Sequence, residues 1–162
     1  MATPRTLIVA EPGLPTISIT RTFDASPELL FRAHTDPELL VQWLGPRRLT
    51  MAIDHYDVRN GGTWRYVHRD TDGSEYGFHG VFHGTPSLAG VIQTFEFEGA
   101  PGHVSLEKLT FEALGDWTLV RIVSASHSVA ARDARVGSGM ESGVNDGYER
   151  LDELIASLVP IS

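Results

Sequence analysis

Seven histidines and a single lysine are the first residues to consider for metal binding and Schiff-base chemistry. His79 and His83 are four residues apart, but on the strand predicted for them this separation is about 13 Å at about 3.3 Å per residue. One metal ion cannot bridge that distance, so we expect no metal site. The chain contains no Cys, which excludes thiolate ligands, disulfides and a thiol nucleophile. The single lysine, Lys108, lies on the predicted outward face of its strand, which argues against Schiff-base chemistry in an interior site.

Glycine-rich catalytic and nucleotide-binding motifs give no match. Gly137-Ser138-Gly139 is too short for a G-x-S-x-G nucleophile elbow and opens a predicted helix instead of following a strand. Gly137, Gly139 and Gly143 do not have the G-x-G-x-x-G spacing that opens a dinucleotide-binding helix. We therefore expect no cofactor.

Four polar residues stand out because strand alternation places them among inward-facing apolar residues. Successive side chains of a strand point to opposite faces, and the pattern predicts an inward set of Trp64, Tyr66, Phe78, Phe82, Phe95, Phe97, Leu109 and Phe111. The polar residues on the same face are Arg21, His68, Gln93 and Glu107. A pocket lined by aromatic side chains with a few convergent polar groups is the usual form of a small-molecule site.

Structural explanations of these four polar residues remain open beside the functional one. His68 and Glu107 lie near predicted turns, where solvent can reach them. Arg21 could pair with Glu107 in a salt bridge. If the two do not touch, both become candidates for contacting a ligand, because a buried polar group needs a partner.

One α+β domain with the order β-αα-ββββββ-α is predicted to position these residues. Alternation predicts a first strand over 16–23, and the capping sequences Ser26-Pro27-Glu28 and Asp36-Pro37-Glu38 predict helices over about 27–34 and 37–43. Six strands follow, over 49–59, 63–69, 75–85, 91–98, 103–114 and 117–126. Apolar residues spaced by three and four from Met140 to Leu158 predict a long amphipathic C-terminal helix. Residues 1–15, punctuated by prolines, are expected to form a flexible N-terminal arm, and residues 16–160 the domain.

Length and charge restrict the class of protein. A chain of 162 residues fits one domain, and a formal net charge of −8 argues against nucleic-acid binding, which usually shows a basic footprint. No apolar run approaches the roughly 18 residues that a membrane span needs. Residues 1–15 do not resemble a signal peptide. We therefore expect a cytoplasmic protein without a membrane span.

Three glycines are spaced by four residues along the predicted C-terminal helix, at Gly139, Gly143 and Gly147. Each interior Gly costs about 1 kcal/mol relative to Ala, so this spacing calls for a reason. The missing side chains could leave room for a ligand, or they could reflect close helix–sheet packing, a kink or a frayed helix start. Trp43 also has two interpretations, a lid over a cavity mouth or an anchor that packs the second helix.

The order of elements and four sequence stretches give the chain a resemblance to a known family. The stretches are ISITRTFDASPELLFRAHTDPELLVQWLGP (17–46), YDVRNGGTWRY (56–66), DTDGSEYGFHGVF (70–82) and SGMESGVNDGYERLDELIA (138–156). They resemble the START-like (SRPBCC) helix-grip superfamily, specifically its branch similar to the activator of Hsp90 ATPase homologue. The resemblance implies a curved antiparallel sheet wrapped around the long C-terminal helix, with a cavity between them. It also implies Trp in many relatives where this chain has Val144, and the smaller residue would change the cavity's volume and shape.

Three functions follow as hypotheses. The resemblance implies a module that binds a small hydrophobic or aromatic ligand in the cavity, as a monomer or homodimer, and the inward polar residues support this independently. The alternative is an enzyme similar to polyketide cyclases and dehydratases, with His68 and Glu107 as acid–base groups. An accessory role to a chaperone ATPase rests on the family name alone, and the eukaryotic activators carry a further N-terminal domain that the short arm cannot supply. The residues predicted to form the ligand site are Arg21, Trp43, Trp64, Tyr66, His68, Phe78, Gln93, Phe95, Glu107, Met140, Val144 and Tyr148.

Overall fold

The structure, a computed structural model, describes residues 4–158 of the chain. Along this part of the chain the elements are β1 (Leu7–Val9), β2 (Thr16–Phe23), α1 (Pro27–Thr35), α2 (Pro37–Leu40), β3 (Thr50–Tyr56), β4 (Thr63–Arg69), β5 (Glu75–Ser87), β6 (Gly90–Phe97), β7 (Val104–Leu114), β8 (Trp117–Ala125), α3 (Val129–Val136) and α4 (Met140–Leu158). The strands form one antiparallel sheet in the order β1-β2-β8-β7-β6-β5-β4-β3. The sheet is curved and open, and together with α4 it forms the helix-grip fold that the sequence predicts. Among the helices of residues 4–158, none has both the length and the apolar composition needed to cross a membrane.

Local sequence explains where β2, α1 and α2 begin. Side chains along β2 alternate between buried and partly exposed, as expected for a strand with one wet face. The side chain of Ser26 accepts a hydrogen bond from the Leu29 backbone N–H at 3.2 Å, and that of Asp36 accepts one from the Glu38 N–H at 3.0 Å. Pro occupies the first turn of both helices, where its missing N–H costs no hydrogen bond. Both predicted helix starts are confirmed, although α2 ends earlier than predicted, at Leu40.

Two elements of the structure are not predicted by the sequence pattern. Leu7–Val9 forms β1 and pairs with β2, so this part of the predicted flexible arm is a sheet edge. Val129–Val136 forms α3, which begins where the Ser128 hydroxyl accepts a hydrogen bond from the Ala131 N–H at 3.0 Å. Three residues are too few to show alternation, and α3 lacks the large apolar residues at helical spacing that mark α4. Residues 1–3 and the predicted domain end at residue 160 lie outside the described residues.

Fully buried apolar side chains lie on α1 and on α4 as well as on the sheet. Leu30 and Leu151 are 0% exposed, and the rings of Phe23 and Tyr148 meet edge to face with centroids 5.1 Å apart. Met140 and Val144, in the N-terminal half of α4, are only partly buried. The helix therefore packs closely along its C-terminal half and leaves space beside its N-terminal half.

Candidate functional site

A cavity of about 730 Å³ lies between the inner face of the sheet and the N-terminal half of α4. Eleven of the twelve residues predicted for the ligand site line it, and Arg21 does not. The eleven are Trp43, Trp64, Tyr66, His68, Phe78, Gln93, Phe95, Glu107, Met140, Val144 and Tyr148. Strand alternation therefore identifies which side chains face the interior of this sheet, while their role in binding stays a prediction.

The strand β4 supplies a continuous aromatic wall to the cavity. Trp64, Tyr66 and His68 alternate with outward residues along β4, and their rings stack in sequence, each centroid 5.2 Å from the next. Phe78 on β5 lies 5.4 Å from both Tyr66 and Phe95. Contacts of this kind hold the rings in place beyond their simple burial. The wall is therefore a pre-formed apolar surface.

A polar cluster interrupts this surface where β6, β7 and α3 meet. Glu107 is buried, and its Oε2 accepts a hydrogen bond from Arg135 Nη2 at 3.0 Å. Gln93 Nε2 donates to Glu107 Oε1 at 3.3 Å, and the Arg135 guanidinium also donates to the hydroxyl of Ser124. The same guanidinium lies over the ring of Phe95, 5.0 Å from its centroid. Sequence reasoning missed Arg135 because it lies on α3, the helix that the pattern did not reveal.

Two buried histidines in the cavity wall are uncharged at neutral pH. Burial lowers the pKa of His34 to about 4, against a smaller opposing effect of its hydrogen bond to the Leu30 carbonyl. This bond joins His34 Nδ1 to the carbonyl oxygen at 2.7 Å, and since a carbonyl only accepts, Nδ1 carries the proton. Burial also lowers the pKa of His68 to about 4, with a further lowering from the charge of Arg150. Sequence reasoning missed His34 because the alternation of strands says nothing about a residue on α1.

These histidines predict a pH dependence of stability. Each has a pKa of 6.5 when unfolded and about 4 when folded, so the unfolded chain binds more protons than the native protein between these values. The free energy of unfolding should therefore fall as the pH is lowered from 6.5 to 4. Replacing His34 by Leu should remove on the order of 2 kcal/mol of this fall, measured by urea unfolding at a series of pH values. His83→Leu, on the exposed outer face, is the control, and an equally steep fall in His34→Leu would contradict the assignment.

The predicted cavity role of Arg21 is wrong. Its guanidinium forms two hydrogen bonds to the carboxylate of Asp152 on α4, one of them Nη1 to Oδ1 at 2.7 Å, and it lies 4.6 Å from the ring centroid of Phe23. The alternative partner, Glu107, is bound to Arg135 instead. The Asp152 side chain is 43% exposed, yet its carboxylate reaches the buried Arg21. Arg21 therefore fixes α4 to the sheet outside the cavity.

Removing the carboxylate partner of Arg21 should destabilise the fold without affecting the cavity. Asp152→Ala leaves a buried guanidinium without its counter-charge, and we expect a loss of about 2 kcal/mol in the free energy of unfolding. Glu75→Ala, which breaks the exposed pair with Arg69, should cost less than about 1 kcal/mol. Urea unfolding of both variants measures the difference. Equal losses in the free energy of unfolding would show that the Arg21–Asp152 pair stabilises the fold no more than an exposed ion pair does.

The glycine spacing in α4 is explained by a close approach of the helix to the loop after α2. A Cβ at Gly147 would lie 3.3 Å from the carbonyl oxygen of Trp43, and one at Gly143 would lie 3.4 Å from Cγ of Pro46. Gly139 precedes the helix with φ +86°, a left-handed conformation that glycine adopts without strain. Trp43 itself is 2% exposed, and its Nε1 donates to the Ala33 carbonyl at 3.0 Å. This favours the anchor interpretation of Trp43, whose ring also forms part of the cavity wall.

Acid–base and metal chemistry find limited support in this arrangement. The hydrogen bonds of the Glu107 carboxylate are taken by Arg135 and Gln93, not by His68. Within residues 4–158, no three His, Asp or Glu side chains are grouped so that they could hold one metal ion. His79, on the outer face of the sheet, contacts Glu98 at 3.0 Å.

Comparison with known proteins identifies the family. The sequence model of the family described as "Activator of Hsp90 ATPase homolog 1-like protein" matches residues 24–156. The chain belongs to this family. Solved structures with the same fold include a protein from Rhodobacter sphaeroides, with a TM-score of 0.87 and 25% identity over 95% of this chain and 100% of that chain. A protein from Mycobacterium smegmatis has a TM-score of 0.84 and 20% identity over 98% of this chain and 99% of that chain. A protein from Arthrobacter aurescens has a TM-score of 0.84 and 22% identity over 93% of this chain and 91% of that chain. No curated protein matches the sequence.

Membership of this family confirms the resemblance and the fold that the sequence predicts. The helix-grip fold commonly binds ligands. The structural relatives share a quarter or less of their residues with this chain, so the likeness shows the fold and not the chemistry of a ligand.

Proposed function

We propose that this protein binds a small, largely apolar or aromatic molecule in the cavity between the sheet and α4. The observation that carries the proposal is the cavity of about 730 Å³ beside a helix whose N-terminal half is only partly buried. Small-molecule sites typically enclose about 300–1,000 Å³ and are lined by apolar and aromatic side chains with a few polar groups. The protein would act in the cytoplasm as a monomer or homodimer.

The aromatic wall supports the proposal. Tyr66 on β4 packs against rings on both sides along its own strand and against Phe78 on the next strand. A planar ligand can lie on such a surface with little rearrangement of the protein, which reduces the entropic cost of binding. Phe78 and Phe95 are not fully buried although they face inward, because their inner surfaces border the cavity.

The geometry favours binding over acid–base catalysis by His68 and Glu107. The ring of His68 is held between Tyr66 and Phe78, and its Nε2 makes no hydrogen bond to the described residues. Glu107 is held as the partner of Arg135. A general base needs a hydrogen-bonding path to the proton that it removes, whereas His68 Nε2 is enclosed by its neighbours and the Glu107 carboxylate is engaged by Gln93 and Arg135.

The experiment that tests this proposal is a calorimetric titration with 2-naphthol, an uncharged aromatic probe at neutral pH. We expect saturable binding of one molecule per chain, with a negative heat-capacity change because apolar surface is buried. Mass spectrometry of a solvent extract of the purified protein would identify a natural ligand retained in the cavity. The absence of saturable heat up to the solubility limit of the probe would contradict the proposal.

A further inference from the structure

The two opposite charges inside the cavity, Glu107 and Arg135, form one ion pair. Among the residues that the structure describes, the Asp, Glu, Lys and Arg side chains that line the cavity are Arg48, Glu107 and Arg135, and the pair His103 and His127 also lines it. The side chain of Arg48 is 64% exposed and lies 3.8 Å from Asp70, so it belongs to the rim. Glu107 and Arg135 lie inside and bind each other at 3.0 Å. Each interior charge is therefore compensated by the other.

The hydroxyl of Tyr66 experiences both charges of this pair. Burial raises the pKa of Tyr66 above its usual range, and Glu107 adds to the rise while Arg135 opposes it. The two charges therefore act in opposite directions at this point of the wall. An anion bound against Tyr66 would meet no uncompensated positive charge from the pair, and an ion removed from water without a counter-charge is strongly disfavoured.

The polar atoms left without a partner in the wall are all uncharged. His34 Nε2, Trp64 Nε1, His68 Nε2 and the Tyr148 hydroxyl make no hydrogen bond to the described residues, and all four side chains line the cavity. Because Nδ1 of the neutral His34 ring donates to the Leu30 carbonyl, its Nε2 can only accept. The indole N–H of Trp64 can only donate. These atoms are themselves enclosed by their neighbours, and none of them brings a charge to the wall.

We propose that the cavity selects uncharged ligands, such as a carboxamide, and discriminates against the carboxylate of the same shape. This inference rests on the proposed binding function and deepens it by naming the ligand class. The Glu107–Arg135 pair is the device that keeps the interior neutral.

The matched probes for this inference are 2-naphthamide and 2-naphthoate, which share one ring system and differ in the charge of the substituent. We expect 2-naphthamide to bind about tenfold or more tightly than 2-naphthoate at neutral pH, measured by calorimetry or by equilibrium dialysis. Equal or tighter binding of 2-naphthoate would overturn the inference, while binding of 2-naphthol would leave the proposed function standing. Failure of all three probes to bind would overturn both.

Glu107→Gln replaces a carboxylate of the cavity wall by a neutral amide of the same shape, and it tests whether the ion pair causes the selection. It leaves Arg135 without a counter-charge, so the affinity for 2-naphthoate relative to that for 2-naphthamide should rise about tenfold or more. Glu112→Gln removes the same charge from an exposed position of β7 and should change neither affinity. Arg135→Gln leaves Glu107 uncompensated and should weaken 2-naphthoate binding further, so it tests the same point if Glu107→Gln does not fold. An unchanged preference in a folded Glu107 or Arg135 variant would overturn the role of the pair.

Discussion

Replacing Met140 and Val144 together by Trp is expected to lower the affinity for 2-naphthol by about a hundredfold or more, because the new side chains occupy the space that the probe needs. Both residues line the cavity from the N-terminal half of α4, one helical turn apart, and both are only partly buried. Two indoles placed there would extend across the cavity toward the sheet. Both side chains border the cavity, so we expect the fold to accept the added bulk. Calorimetric titration of the double variant measures the loss.

The matched control places the same two side chains on the opposite face of the sheet. Leu106 and Val123 are 51% and 40% exposed, so Leu106→Trp with Val123→Trp adds the same bulk outside the cavity. This control should bind 2-naphthol as the unmodified protein does. Comparable affinity in both double variants would place the probe somewhere other than the cavity.

Replacing Gly45 by Ala is expected to lower the free energy of unfolding by about 3 kcal/mol, through backbone strain and overpacking together. Gly45 has φ +97°, and an added Cβ would lie 2.2 Å from Cε1 of His68. The His68 ring cannot turn away freely, because it stacks on Tyr66 and lies 5.5 Å from Phe78. Since His68 is part of the cavity wall, the change should also weaken 2-naphthol binding. Urea unfolding and calorimetry measure the two effects.

Gly73→Ala separates the two causes of this loss. Gly73 has φ +90°, but an added Cβ would meet no atom within 4 Å. The control therefore carries the backbone strain without the clash, and we expect it to cost only about 1 kcal/mol. Equal losses at positions 45 and 73 would show that His68 does not restrain the loop after α2.

The inner face of the sheet could be predicted from the sequence because successive side chains of a strand point to opposite faces. Trp64, Tyr66 and Phe78 all line the cavity as the alternation indicates. The pattern is local, and it holds along the whole of β4 without a bulge that would reverse it. Hydrophobic spacing in the same way predicted α4, whose apolar residues recur over 19 residues.

The pairing of the polar residues could not be predicted, because it depends on contacts between distant parts of the chain. Arg21 binds Asp152, 131 residues away, and no strand or helix period relates the two. Glu107 binds Arg135, whose helix α3 carries too few large apolar residues to be recognised. His34 enters the cavity wall from α1. Strand alternation therefore predicts which polar side chains of the sheet turn inward, but it does not predict which of them are paired with an opposite charge.

The most direct test of the account is a nitrogen–proton NMR titration of the protein with 2-naphthol, which reports binding residue by residue. The account predicts saturable shift changes concentrated at residues of the N-terminal half of α4, such as Val144, and of the cavity wall on β4 to β6. The outer face of the sheet, including Val123 and Leu106, should change little. Shift changes confined to that outer face, or none at saturating probe, would contradict the claim that the cavity is a ligand site.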